Sequence, residues 1–192
     1  MTVLAIIPAR GGSKRVPRKN VRDLCGKPMI CWTIGAALAT ECITTAVVFS
    51  DDDEILDVAR SMGCLTLKEP AEMAQDSSSI YDAIFYVCDA LPPHDYTMLL
   101  HPTSPLRTAE DIDGCFRTCL LHRAPSCVTV DLSRPVANGA VYVAWSTWLR
   151  EFKNFDLGRT VTHVMPTERS VDVDTPSDFD RAVSLMARRF AV

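Results

Sequence analysis

Chemistry concentrates first in the run Pro8-Ala9-Arg10-Gly11-Gly12-Ser13-Lys14-Arg15-Val16-Pro17-Arg18-Lys19-Asn20. From Arg10 to Lys27 the chain carries seven basic residues and one acid, Asp23. Two adjacent glycines let a backbone approach a ligand closely, and exposed amides in such a loop cradle phosphate oxygens. Positioned Arg and Lys side chains stabilise the charge that builds on a departing pyrophosphate. The plainer reading is a solvated basic loop or an RNA contact. The glycines, and the placement between a strand pattern and a helix pattern, favour a discrete phosphate site. The run is neither a Walker A loop, since no Gly-Lys-Ser/Thr closes it, nor a Gly-x-Gly-x-x-Gly fingerprint.

Such a loop needs elements to hold it. Apolar, β-rich runs occur at Val3–Pro8, Thr45–Ser50, Cys64–Leu67, Thr97–His101, Cys127–Asp131, Gly139–Ala144 and Val161–Met165. Helical patterns lie between them at Pro28–Thr40, Asp52–Met62, Ser77–Ala90, Ala109–Arg123 and Pro176–Phe190. Thr108-Ala109-Glu110-Asp111 and Thr175-Pro176-Ser177-Asp178 carry the N-terminal capping pattern, the second with Pro at the first helical position. This alternation predicts an α/β fold of Rossmann-like, three-layer type with a mostly parallel sheet. Ligands of such sheets sit at the carboxyl ends of the strands. The segments after Pro8, Phe49 and Leu100 are therefore expected at one edge.

The bulk composition fits that picture. The 192 residues are 47% hydrophobic, enough for a sizeable core, and are expected to form one domain over residues 1–192. A net charge of −4 argues against a nucleic-acid-binding surface. No apolar run is long enough for a membrane span, and the N-terminus lacks the features of a signal peptide, so a cytoplasmic protein acting on small molecules is expected. The eight cysteines show no metal-ligand spacing and mostly occupy apolar runs, which predicts reduced core thiols.

The pattern Ile7-Pro8-Ala9-Arg10-Gly11-Gly12-Ser13-Lys14 with Pro17-x-Lys19-Asn20 resembles the signature of the CMP-sialic acid synthetase (acylneuraminate cytidylyltransferase) family. Three further segments match in order: Pro70-Ala71-Glu72-Met73-Ala74-Gln75-Asp76-Ser77, Leu99-Leu100-His101-Pro102-Thr103-Ser104-Pro105-Leu106-Arg107, and Asp172-Val173-Asp174-Thr175. The resemblance spans nearly the whole chain. It implies that CTP and Mg²⁺ are used and that pyrophosphate is released. Arg10, Lys14 and Lys19 would act on the reacting phosphates. The nucleotide would be held by Pro8, Ala9, Arg10, Gly11, Gly12, Ser13, Lys14, Lys19, Asn20, Asp76 and Ser79. The acceptor would meet His101, Thr103, Ser104, Arg107, Arg134 and Asn138. Asp172 and Asp174 would bind magnesium, a hard cation suited to carboxylates plus substrate phosphates. Residues i and i+2 of an extended segment point to the same side, which agrees. The plainer role for that pair is negative charge at the start of the following helix, and the same holds for Asp51-Asp52-Asp53. His101 stands where the family usually has Gln; it could hydrogen-bond, hold an anion as imidazolium, or be a satisfied strand-end histidine.

The chain also departs from the family. The long insertion that pairs subunits and lends basic residues to the partner's sugar pocket is missing, since Val128–Asp131 runs almost directly into Asn138-Gly139-Ala140-Val141-Tyr142. A homodimer therefore stays open. Two residues, Val136 and Ala137, separate Arg134-Pro135 from Asn138-Gly139. Glu69 precedes Pro70 where the family tends to place Arg. The lost wall predicts a small acidic acceptor, a phosphonate such as phosphonoformate giving a CMP-phosphonate, ahead of the alternative, a nonulosonic or sialic-type keto-sugar acid. A hexose-1-phosphate nucleotidyltransferase would carry Gly-Gly-x-Gly-x-Arg in its first loop. A non-catalytic relative would be expected to lose Lys19 or Asp174.

Overall fold

The computed structural model describes residues 1–73 and 79–190. One seven-stranded sheet organises the chain: β1 (Val3–Pro8), β2 (Thr45–Ser50), β3 (Leu65–Lys68), β4 (Tyr96–Leu99), β5 (Ser126–Asp131), β6 (Arg134–Trp145) and β7 (Val161–Met165), in the order β3-β2-β1-β4-β6-β5-β7. β6 is antiparallel to both β4 and β5, and every other pairing is parallel. The carboxyl ends of six strands therefore share one edge with the start of β6.

Each face of the sheet is covered by helices, which is why β1 is apolar at every position except its last. Val3, Ala5 and Ile7 pack toward α1 (Met29–Leu38), α2 (Asp53–Ser61) and α4 (Ala109–Leu121). Leu4 and Ile6 pack toward α3 (Ile80–Ala90) and α5 (Ser146–Phe152). Fully buried side chains such as Ile6 and Phe49 each contribute about 1.5–3 kcal/mol. A third cluster joins Val16 and Leu24 of the basic loop to Leu106, Val171, Val173 and the apolar stripe Phe179, Ala182 and Met186 of α6 (Pro176–Phe190). This cluster brings the two ends of the chain together, and the chemistry with them.

Both expected capping patterns form. Thr108 and Asp111 make a reciprocal box, and Thr175 exchanges hydrogen bonds with Asp178. β6 begins at Arg134 instead of Gly139, because Asp131 pairs with Arg134 across Leu132 and Ser133 to close a tight hairpin. The Asp131 carboxylate accepts from Ser133 N and Oγ, which fixes that turn. The sequence pattern missed α5, too short for a clear period. α3 starts at Ile80, capped by Ser79. All eight cysteines are free; Cys25 is exposed, and Cys115 and Cys127 lie buried with Sγ atoms 3.5 Å apart. No helix among the described residues is long and apolar enough to cross a membrane.

Candidate active site

The loop after β1 is held in place by carboxylates. Ala9 N donates to Phe49 O, prolonging the ladder beyond Pro8. Gly11 N donates to Asp51 Oδ1 at 2.8 Å. A Cβ on Gly11 would fall 2.3 Å from Asp52 Oδ2, so only glycine permits this approach, whereas a Cβ on Gly12 would meet nothing within 4 Å. Asn20 Nδ2 donates to Arg10 O at 2.9 Å, while its buried Oδ1 has no partner among the described residues. Ser13 is half-buried and Lys14 is exposed.

The basic side chains lean on acids drawn from three places. Arg18 pairs with Asp52 and Glu54, which raises the Arg18 guanidinium and holds the Asp52 carboxyl below its usual range. Asp52 also caps α2, and Asp53 pairs with Lys68. The helix role anticipated for this acidic run is therefore real, but the run also latches the glycine loop. Lys19, 9% exposed, donates to Val173 O at 2.6 Å and to Asp174 Oδ1 at 3.3 Å. Arg15 reaches Asp174 Oδ2 at 3.2 Å. Arg10 Nη2 lies 3.9 Å from the buried Glu69. Burial pushes the Glu69 carboxyl up, Arg10 opposes this, and Asp51 adds to it. The sequence pattern gave Glu69 no role beyond a departure from the family.

Across the crevice, the turn after β4 carries His101, Thr103 and Ser104. Val173 N donates to Thr103 O at 2.7 Å, which sets the turn beside Asp172. Burial, with Asp174 nearby, pushes the Asp172 carboxyl up against the pull of Thr103 and Lys19. Gly139, at φ +79, leaves room beside Asp172: a Cβ there would sit 3.7 Å from Asp172 Oδ2 and 3.9 Å from Ser104 Oγ. Ser104 Oγ is buried and has no partner among the described residues. Asp172, Asn138, Gly139, Tyr142, Ser170, Asp131 and Arg134 line an open pocket of ≈ 380 Å³, with Val136 and Ala137 on its wall.

Three expected acceptor contacts need correction. Arg107 is buried, and it donates to His101 O and Ala140 O. Burial lowers its pKa to about 9, and it braces the turn after β4 against β6 instead of entering the pocket. Asn138 is committed to its neighbours: Oδ1 accepts from Thr129 Oγ1 and Ala140 N, and Nδ2 donates to Ser170 Oγ. It shapes the pocket more than it offers a free hydrogen bond. His101 stacks edge-on against Tyr142, and burial together with Arg107 lowers its pKa to about 4. That shift favours the neutral ring, and hydrogen bonding, over the imidazolium reading. Asp76 lies outside the described residues. Ser79 caps α3 by accepting from Tyr81 N, and no described contact joins it to the loop after β1.

A divalent cation suits what remains. Asp172 and Asp174 flank one residue, burial raises the Asp172 carboxyl against the pull of Lys19, and Ser104 adds an oxygen without a partner among the described residues. Among the described residues no three acidic, His or Cys side chains converge. Magnesium takes one or two carboxylates and completes its shell with phosphates and water, so this donor set fits it. A separate cavity of ≈ 260 Å³ between α3 and α5, lined by Cys88, His94 and Thr97, opens at the opposite edge of the sheet.

A family model described as cytidylyltransferase matches residues 4–181. The chain belongs to the cytidylyltransferase family. Among curated members, it is 32% identical over 227 residues to the CMP-N,N'-diacetyllegionaminic acid synthase of Legionella pneumophila, covering 97% of each. It is 26% identical over 220 residues to an N-acylneuraminate cytidylyltransferase of Escherichia coli, covering 97% of this chain and 52% of that enzyme. The chain thus spans about half the length of some relatives and nearly all of another. Its fold matches a CMP:2-keto-3-deoxy-manno-octonic acid synthetase solved with CTP, at TM-score 0.81 and 16% identity over 99% of this chain and 100% of that one.

Proposed function

We propose that this cytidylyltransferase moves CMP from CTP to an acidic keto-sugar acid and releases pyrophosphate. The observation that carries the reading is Lys19: one buried ammonium ties the glycine-rich loop to the Asp172–Asp174 segment beside an open pocket. An acceptor oxygen in the pocket attacks the α-phosphorus in line. One O–P bond forms, the bond from the α-phosphorus to the oxygen bridging it to the β-phosphorus breaks so that pyrophosphate leaves, and the proton of the acceptor hydroxyl passes to solvent. Gly12, where an added Cβ would meet nothing, leaves the loop backbone open to the phosphates, and Arg10, Lys14 and Lys19 screen the charge on the leaving pyrophosphate. Asp172 and Asp174 would hold magnesium, which neutralises phosphate charge when bound.

The sugar-acid acceptor takes precedence over the phosphonate expected from the missing insertion. The relatives named above act, by their names, on N-acylneuraminate and diacetyllegionaminic acid. The short hairpin is the one feature that still favours a compact acceptor, because it leaves Arg134 and Val136 exposed at the pocket rim. The deciding experiment measures CTP-dependent pyrophosphate release with magnesium against nine-carbon keto-sugar acids, an eight-carbon keto-sugar acid and phosphonoformate. The highest kcat/KM is expected with a sugar acid. A clear preference for phosphonoformate would overturn the acceptor assignment and leave CMP transfer standing, whereas no release with any acceptor would remove both.

A further inference from the structure

A basic cavity of ≈ 390 Å³ lies where α1, the start of α4 and the end of α6 meet. It shares no lining residue with the pocket at Asp172, and the proposed transfer makes no use of it. We infer that this cavity binds a phosphate dianion, free or carried by a small phosphorylated molecule.

Arg107 is the first ground. It forms part of the cavity wall and is only 2% exposed. Its Nη1 donates to His101 O and Ala140 O, while Nε and Nη2 have no partner among the described residues. Asp111 supports the Arg107 charge from nearby, but two hydrogen bonds of 2.9 and 2.8 Å commit that carboxylate to Arg169. Burial outweighs this support and lowers the Arg107 pKa to about 9. A buried guanidinium with unmet donors is costly, and an anion in the adjoining cavity offsets part of that cost.

The rest of the wall gives the charge of the ligand. Lys27 and Arg189 join Arg107, and Glu110 is the one acid among the lining residues. Three cations against one carboxylate leave two positive charges, which a phosphate near neutral pH balances and a single carboxylate does not. Lys27 Nζ lies 3.6 Å from the centre of the Trp32 ring, which holds the ammonium at the wall. The start of α4 adds backbone donors. Its capping box satisfies Asp111 N, whereas the first-turn amides of Ala109 and Glu110 have no carbonyl partner within the helix.

The test follows the indole N–H signals of Trp32, Trp145 and Trp148 and the Nε–H signal of Arg107 by two-dimensional NMR. Sodium phosphate is added at constant ionic strength, which holds general charge screening fixed. The Trp32 and Arg107 signals should move saturably, and those of Trp145 and Trp148, outside the cavity, should stay. Lys27→Gln combined with Arg189→Gln should weaken phosphate binding by about tenfold or more, with melting curves verifying the fold. Lys14→Ala, in the loop after β1, should leave the response intact. A pentose phosphate separates the two sources: tighter binding than inorganic phosphate assigns the site to a phosphorylated small molecule, and equal or weaker binding to the free ion. The inference is overturned by an absence of saturable movement, by an equal response to acetate, or by unaltered affinity in the double variant. Loss of the response in Lys14→Ala also overturns it, because the phosphate would then sit in the loop.

Discussion

The loop after β1 and the hairpin joining β5 to β6 face the same edge of the sheet but are built in opposite ways. The loop is anchored at many points. Val16 and Leu24 are buried, Gly11 sits against Asp51 and Asp52, and Arg15, Arg18 and Lys19 each meet a carboxylate. The hairpin turns in two residues and exposes Leu132, Arg134 and Val136. A site for a triphosphate must have its cations fixed before the ligand arrives, because rearranging them during the reaction would forfeit their effect. On the proposed function, the rim of the acceptor pocket would tolerate looser construction, since it would set which acceptor fits and leave the charge build-up to the loop.

That contrast can be broken by mutation. Lys19→Ala should have the largest effect. It removes the tie to Val173 and Asp174, and turnover should fall by about 10²-fold or more in a protein that still melts cooperatively. Near-normal turnover would mean that the loop is a scaffold and not a site. Asp172→Asn should follow, lowering kcat roughly tenfold or more and raising the magnesium concentration for half-maximal rate. A variant with an unaltered magnesium response would limit Asp172 to shaping the pocket.

Arg134→Ala should separate the two regions. Loss of one exposed, charge-assisted contact should lower kcat/KM for the acceptor by about tenfold while KM for CTP stays constant. A rise in KM for CTP instead would show that the hairpin reaches the nucleotide. The smallest effect is expected at His101. Its folded pKa, about 4, lies below the ordinary histidine value, so the unfolded chain takes up a proton first as pH falls. Stability is therefore lost between about pH 6.5 and 4. His101→Gln should recover on the order of 1–2 kcal/mol of that loss, read from urea unfolding at pH 7 and pH 4.5. Equal pH dependence in the two proteins would show that the imidazole is better hydrated than its burial implies.

Much of this molecule was legible in the linear chain. All seven strands, five of the six helices and both capping patterns follow from periodicity and local chemistry, because a strand buried on both faces and an N-cap each leave a mark within a few residues. The loop from Pro8 to Asn20 was legible for the same reason: its glycines and cations are contiguous. Tertiary structure alone decided the rest. Residues as distant as Asp131, Tyr142 and Asp172 form one pocket because β6 runs against its neighbours and the third apolar cluster folds Val171 and Val173 back onto the loop. Arg107 and His101 carry ordinary ligand chemistry in sequence, and the fold made one a brace against β6 and set the other edge-on against Tyr142. Glu69 gave no local signal of its contact with Arg10, which lies 59 positions earlier and is brought near by the pairing of β1, β2 and β3. Side-chain type is written residue by residue, whereas solvent access and the choice of neighbours arise only when distant segments share a core.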